Sequence, residues 1–164
     1  MTQPVSTFQG EALYLDTMIF YTFLRVQSPP AESLFRSIVD GNVRGLTSAL
    51  TFDELAHRML LALIRDVYTG SPLDVLRKDE RRIIAEFFPK LEPQLVKIQS
   101  LPNLLIVDVA AVDVVAMRKN IRDHLLRPRD ALHLAAMQKV GCFHLVSQDS
   151  DFDHIPGITR YTLM

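Results

Sequence analysis

The residues of this chain best suited to chemistry are carboxylates, and they stand at recurring positions. Asp16 directly follows the short apolar run 12–15. Glu54 lies in the first turn of an amphipathic segment that opens at Thr51, just after a second apolar run. Asp130 falls two residues beyond Pro128 at the head of another helical pattern, and Asp149 and Asp151 follow the stretch that ends at Ser147. In an open parallel α/β sheet, residues just past the carboxyl ends of the strands project into one crevice, so acids far apart in sequence are expected to converge there. Carboxylates brought together repel and raise one another's pKa unless something positive sits between them. A hard divalent cation meets that need: Mg²⁺ takes oxygen ligands and keeps several waters, and Mn²⁺ prefers the same donors. His57, His124, His133, His144 and His154 show no HxxxH or HExxH spacing, and Cys142 is the only cysteine, so zinc is not expected. His133 is read as packed or solvent-facing on its helix rather than as a ligand.

Each acid also has a plainer role. Thr51 and Glu54 satisfy the capping-box pattern, in which the glutamate merely closes a helix N-terminus. Asp130 could complement a helix macrodipole, and Asp16 could cap the helix that follows it. Asp149 and Asp151 both suit Asx turns. These readings stand singly for each position. They weaken when all the positions fall at one sheet edge.

The elements that must hold these acids follow from the hydrophobic pattern. Strands are expected at 12–15, 43–47, 104–107, 144–147 and 158–162, with helices at 18–24, 31–39, 51–68, 73–98, 111–121 and 129–140. Pro89 and Pro93 mark kinks or breaks in the 73–98 stretch, and residues 28–33 and 69–74 read as turns. Short apolar strands alternating with helices predict a mostly parallel sheet covered on both faces, enriched in helix by a long pair across 51–98. The 164 residues fit one domain over 1–164. With 48% hydrophobic and 23% charged residues, the composition is that of an ordinary soluble globular protein. No apolar run is long enough for a membrane span, and residues 1–10 lack the basic and apolar regions of a signal peptide. The single cysteine excludes an internal disulfide, and a reducing cytoplasm is the expected location.

Read together, the segments Tyr14-Leu15-Asp16-Thr17, Thr47 to Leu55, Arg129-Asp130-Ala131-Leu132-His133-Leu134-Ala135-Ala136 and Leu145 to Phe152 resemble the four motifs of the PIN-domain family, in family order. The resemblance runs from Leu13 to about Tyr161. It implies a Rossmann-like three-layer α/β/α fold, Mg²⁺ or Mn²⁺ as cofactor, and endonuclease activity on RNA. Asp16, Glu54, Asp130 and Asp149 match its acidic positions as catalytic and metal-holding residues, with Asp151 as a further metal position. Thr17 matches a small hydroxyl near the metal, and Ser147 a hydroxyl before the last motif to which no role is assigned. Many small stand-alone members are VapC-type toxins held inactive by an antitoxin, so an antitoxin partner is implied alongside the RNA substrate. One departure is the long segment between Glu54 and Asp130, which could be a substrate clamp, a dimer surface or an antitoxin groove.

A formal net charge of −1 advertises no nucleic-acid binding by the whole molecule, so local basic groups matter. Lys119, Arg127 and Arg129 precede or flank the third motif and are candidates for holding the RNA backbone, with simple solubility as the alternative. The apolar residues Met59, Leu60, Leu61, Leu63, Ile64 and Val67 point either to a homodimer or to two helices that bury one another. Other α/β chemistries fit less well. Met18 stands where a haloacid-dehalogenase-type phosphatase needs its second acid, Asp16 lacks the adjacent acids of a receiver domain, and no GxxxxGK[ST] or GxGxxG run occurs. Two alternatives stay open: a non-catalytic RNA- or protein-binding scaffold on the same fold, and an RNA-processing nuclease outside any toxin–antitoxin system.

Overall fold

A computed structural model describes residues 2–164. The apolar runs become strands of one sheet: Gln3–Pro4 (β1), Ala12–Leu15 (β2), Arg44–Ser48 (β3), Leu104–Val107 (β4), His144–Val146 (β5) and Thr159–Thr162 (β6). Their order is β1-β6-β5-β2-β3-β4, and every pairing is parallel. The central position of β2 matters most here. It is flanked by β3 and β5, so the ends of these three strands lie side by side at one edge.

Helices cover both faces of the sheet. They are Thr17–Arg25 (α1), Pro29–Val39 (α2), Ala49–Val67 (α3), Pro72–Lys78 (α4), Glu80–Gln99 (α5), Ala111–His124 (α6) and Pro128–Val140 (α7). The period of two in β2 divides the core. Leu13 and Leu15 point into one cluster with Ile19, Phe20, Phe35 and Leu55, while Tyr14 points into the other with Leu134, Met137 and Leu145. The expected three layers are therefore formed, with α1, α2, α3 and α5 on one face and α6 and α7 on the other. Among the described residues no helix is long and apolar enough to cross a membrane.

Several boundaries differ from the sequence reading, each for a local reason. Helix α2 begins at Pro29 rather than Ala31, because Ser28 caps it and both prolines sit in the first turn, where a missing N–H costs nothing. The 73–98 stretch breaks at Asp79 and not at the prolines. Asp79 has non-helical backbone angles (φ −155°, ψ 68°), and aspartate favours cap over interior positions. Pro89 and Pro93 stay inside α5 on its exposed face, opposite the buried Ile83, Phe87 and Leu91. The carbonyls four residues back are thus open to water, and the helix tolerates their lost bonds. The strand β1 had no signal in its two exposed residues.

The apolar helical pair largely buries itself. Met59 and Ile64 are buried, Leu60, Leu61 and Leu63 pack against Ile83 and Phe87 or against the main core, and Val67 stays exposed. Of the two readings of these residues, packing within the chain accounts for most of them.

Candidate metal-binding cleft

Helix α3 starts at Ala49, with Ser48 as its cap, so Glu54 lies one turn deeper than a capping box requires. Thr51 does not cap either: its hydroxyl pairs with that of Thr47 at 2.7 Å. The capping explanation of Glu54 is thereby removed. Its carboxylate instead reaches across to neighbouring elements. Oε2 accepts the Thr17 hydroxyl of α1 and faces Nε2 of His133 in α7 at 3.3 Å. Oε1 has Nε of Arg129 at 3.7 Å. His133 is buried, and its Nδ1 lies 2.9 Å from the hydroxyl of Tyr14, which is fully buried. Of the two readings of His133, packed or solvent-facing, the packed one describes it, and its ring also meets the carboxylate.

Asp16 does cap α1, as its plainer reading requires. Oδ1 accepts the Thr17 N–H at 2.6 Å, while Oδ2 accepts the hydroxyl of Ser147 at 2.7 Å. Ser147, just past β5, is fully buried and also accepts the Asp149 N–H at 3.0 Å, so one hydroxyl links the two acids. The buried Arg160 fixes this corner from behind. It donates to the Ser147 carbonyl at 2.9 Å and grips Asp153 with two bonds of 2.7 and 2.8 Å.

Asp130, in the first turn of α7, comes up beside Asp149 and Asp151. Asp149 closes the following turn by accepting the Asp151 N–H at 2.9 Å, an Asx-turn role that either acid suited in sequence. Asp149 also lines the cleft. Asp151 sits at its rim, with Arg127 3.9 Å away as a cationic neighbour.

Asp16, Thr17, Glu54, Asp130 and Asp149 line one open cleft of about 490 Å³, together with Met18, Arg58, Arg127, Pro128 and Arg129. Within it Asp16, Glu54 and His133 bring donor atoms within 4.8 Å of one another, and Asp130, Asp149 and Asp151 do the same. Of the basic candidates, Arg127 and Arg129 reach the cleft. Lys119 does not line it and stays exposed on α6. The sequence reading missed Arg58, although it lies four residues after Glu54 and therefore on the same helix face. It also gave Tyr14 and Arg160 no part. Tyr14 is separated from Asp16 by two, and so shares its side of the chain.

The cleft treats its acids unequally. Burial pushes the Asp130 carboxyl up, and the charges of Asp149 and Asp16 push it further, to about 6. Burial also works against the Glu54 charge, but hydrogen bonds from His133 and Thr17, with Arg129 nearby, outweigh it and hold its pKa below the ordinary value. An all-oxygen set of carboxylates, one of them raised by burial and by its like-charged neighbours, has the donor chemistry a hard divalent cation requires. The residues present fit such an ion.

The family model described as PIN domain matches residues 13–158. No curated protein sequence matches the chain. Solved structures share the fold at low identity. A chain of the VapBC2 complex from Rickettsia felis, bound to a DNA fragment from its promoter, is 14% identical with a TM-score of 0.61, over 92% of this chain and 98% of that one. A chain of a toxin–antitoxin complex from Klebsiella pneumoniae is 16% identical with a TM-score of 0.56, over 91% and 96%. VapC20 from Mycobacterium tuberculosis, a toxin that cleaves the sarcin–ricin loop, is 14% identical with a TM-score of 0.52, over 86% and 92%.

Proposed function

Because the chain belongs to the PIN domain family, we propose that it is a divalent-metal-dependent endoribonuclease that hydrolyses RNA phosphodiester bonds. The observation that carries this reading is the gathering of Asp16, Glu54, Asp130 and Asp149 from four separate segments into one cleft rimmed by arginines. Asp16, Asp130 and Asp149 would hold Mg²⁺ or Mn²⁺, with Glu54 and Asp151 as further donors. When bound, the ion neutralises the carboxylates, polarises the scissile phosphate and lowers the pKa of a coordinated water. Glu54 has Oε2 engaged by Thr17 and presents Oε1 to the attacking water, which it orients by accepting its hydrogen bond. Arg58, Arg127 and Arg129 bind the RNA backbone and keep the phosphate in place by charge, without reading sequence.

Purified protein is expected to cut single-stranded or looped RNA with Mg²⁺ or Mn²⁺ and to stop in EDTA. Undiminished cleavage in EDTA, with contaminating nucleases excluded, would falsify the mechanism.

The likeness to chains of VapBC and other toxin–antitoxin complexes supports a narrower reading, in which this protein is the toxin of such a pair. Expression should then arrest growth, and co-expression of a small partner protein from the adjacent gene should relieve it. Self-association as a homodimer belongs to the same proposal and has exposed apolar side chains on α3 and α5, Val67, Ile84 and Phe88, as its support. Light scattering that finds only monomer at high concentration argues against it.

A further inference from the structure

The buried ring of His133 has no part in the chemistry above, yet it touches the one cleft carboxylate that projects from the interior of a long helix. Glu54 stands on α3 with three rotatable bonds, and freezing such a side chain costs up to about 2 kcal/mol of rotamer entropy. Its position therefore needs fixing from outside the helix. Thr17 supplies one donor to Oε2, and His133 Nε2 faces the same oxygen at 3.3 Å.

The direction of each hydrogen bond follows from the chemistry of the groups. An ionised carboxylate can only accept, so Nε2 must carry a proton for this contact to be attractive. A neutral ring protonated there has its lone pair on Nδ1. That atom lies 2.9 Å from the Tyr14 hydroxyl, which can donate. Tyr14 is itself fully buried on β2, and a phenol carries its proton near neutral pH, so it has one to donate. The chain of donors runs one way, from Tyr14 through the ring to Glu54. The Thr17 and His133 donors both land on Oε2, which leaves Oε1 facing the cleft with Arg129 Nε 3.7 Å away.

We propose that Tyr14 and His133 form a buried positioning relay for Glu54, with Tyr14 Oη–H donating to Nδ1 and the Nε2–H tautomer donating to Glu54 Oε2. The ring is thus a support for the carboxylate and not a metal ligand, although Nε2 lies within the same group of donor atoms as Asp16 and Glu54. A ring that bound the ion through Nε2 would carry its proton on Nδ1 instead, and Tyr14 would have to accept. The functional consequence rests on the metal-nuclease reading. The tautomer does not.

Nitrogen-15 NMR of the histidine ring at about pH 8, above the ordinary histidine range, tests the relay in the wild-type protein, both metal-free and with Mg²⁺. The expected state in both is a neutral ring protonated on Nε2. A proton on Nδ1 in either sample overturns the proposal. Cleavage assays then test what the relay does. His133→Leu should lower kcat by roughly 10–100-fold, the usual cost of losing a group that orients a metal-site residue, with KM for RNA nearly unchanged. His133→Gln, whose amide N–H can stand in for Nε2–H, should recover much of that loss. Tyr14→Phe should cost only a few-fold, because Nε2–H can still donate. If the Gln variant is no better than the Leu variant, or if Leu leaves kcat unchanged, positioning is refuted. Should no RNA be cleaved by any form, the NMR result still decides the relay, and only the nuclease reading fails.

Discussion

Glu54 and Asp130 line the same cleft, yet their surroundings treat a negative charge in opposite ways. Around Glu54 the protein supplies donors: a threonine hydroxyl, an imidazole and an arginine within 3.7 Å. Around Asp130 burial comes first and the charges of Asp149 and Asp16 add to it, pushing the carboxyl up to about 6. One half of the cleft is settled by the chain itself, and the other is short of positive charge. The difference separates a carboxylate positioned before any ligand arrives from a set of carboxylates that a cation would complete. Removing charge from each half in turn should expose that division.

The largest expected effects are on activity. Asp130→Asn and Glu54→Gln should both lose more cleavage than the roughly 10–100-fold typical of groups one contact further from a metal. They should differ in binding. Calorimetric titration with Mn²⁺ should show a much greater loss of affinity in Asp130→Asn than in Glu54→Gln. Equal losses of affinity would mean that the two halves do not divide as described.

Within the acidic half, Asp149 and Asp151 are separable by a smaller effect. Asp149 lines the cleft and shares Ser147 with Asp16, whereas Asp151 sits at the rim near Arg127. Asp149→Asn keeps an Oδ1 that can still accept the Asp151 N–H, so the turn should survive while the charge is lost. It should cost at least about ten-fold in activity, and Asp151→Asn only a few-fold, with both proteins folded by circular dichroism. The reverse order would move the essential acid to Asp151.

How far these positions could be read from sequence depends on what each one needs. Asp16, Asp130 and Asp149 follow from topology alone, since a residue just past a strand end, or at a helix start on the same edge, has little choice of direction. The strand Leu104–Val107 was legible to the residue because its apolar run is bounded on both sides by turn formers. The Glu54 environment was not legible. Its partners Thr17 and His133 lie 37 and 79 residues away and meet it only through packing. Sequence spacing left a capping box open for Glu54 because Thr51-x-x-Glu54 has the right letters, and the start of α3 at Ala49 and the Thr47–Thr51 hydroxyl pair remove that reading. Lys119 lies outside the cleft lining for a related reason. Proximity in sequence to the third motif does not put it on the cleft side of α6.

Stability of the metal-free protein offers a third contrast, in which the two halves differ in sign. A carboxyl raised to about 6 in the folded state gives stability that is fully present below its unfolded pKa, near 4, and lost as pH rises through about 6. Asn mimics the neutral form, so Asp130→Asn should melt higher than wild type at pH 7. With the cleft open to solvent, roughly 1–2 kcal/mol is expected, a few degrees in Tm. The lowered pKa of Glu54 works the other way: its contribution is present above the unfolded value and lost as pH falls through the folded one. Glu54→Gln should therefore melt slightly lower than wild type. Thermal scans of the metal-free proteins between about pH 5 and pH 7 check both, and wild type should gain on Asp130→Asn as the pH drops. Parallel curves would refute the assignment of a raised pKa to Asp130.

The smallest effect concerns the backbone that delivers the acidic half. Leu125 ends α6 in the left-handed conformation (φ 55°, ψ 30°), where its N–H reaches the Ile121 carbonyl at 2.9 Å. It opens the loop that carries Arg127, Pro128 and Asp130 to the cleft. That conformation costs a side chain with a Cβ about 1–2 kcal/mol, and none of it is repaid by packing, since Leu125 is 87% exposed. Glycine removes the clash but gives the unfolded chain more freedom, which takes back about 0.5–1 kcal/mol. Leu125→Gly should therefore stabilise the protein by about 0.5–1 kcal/mol, a rise of about 1–3 °C in Tm for a chain of this size. Cleavage should be unchanged, because the side chain does not line the cleft. A fall in Tm would mean that Leu125 makes contacts its exposure conceals. A Tm that rises while activity drops would mean that the left-handed leucine, through the stiffness of its loop, helps hold Asp130 against the neighbours that repel it.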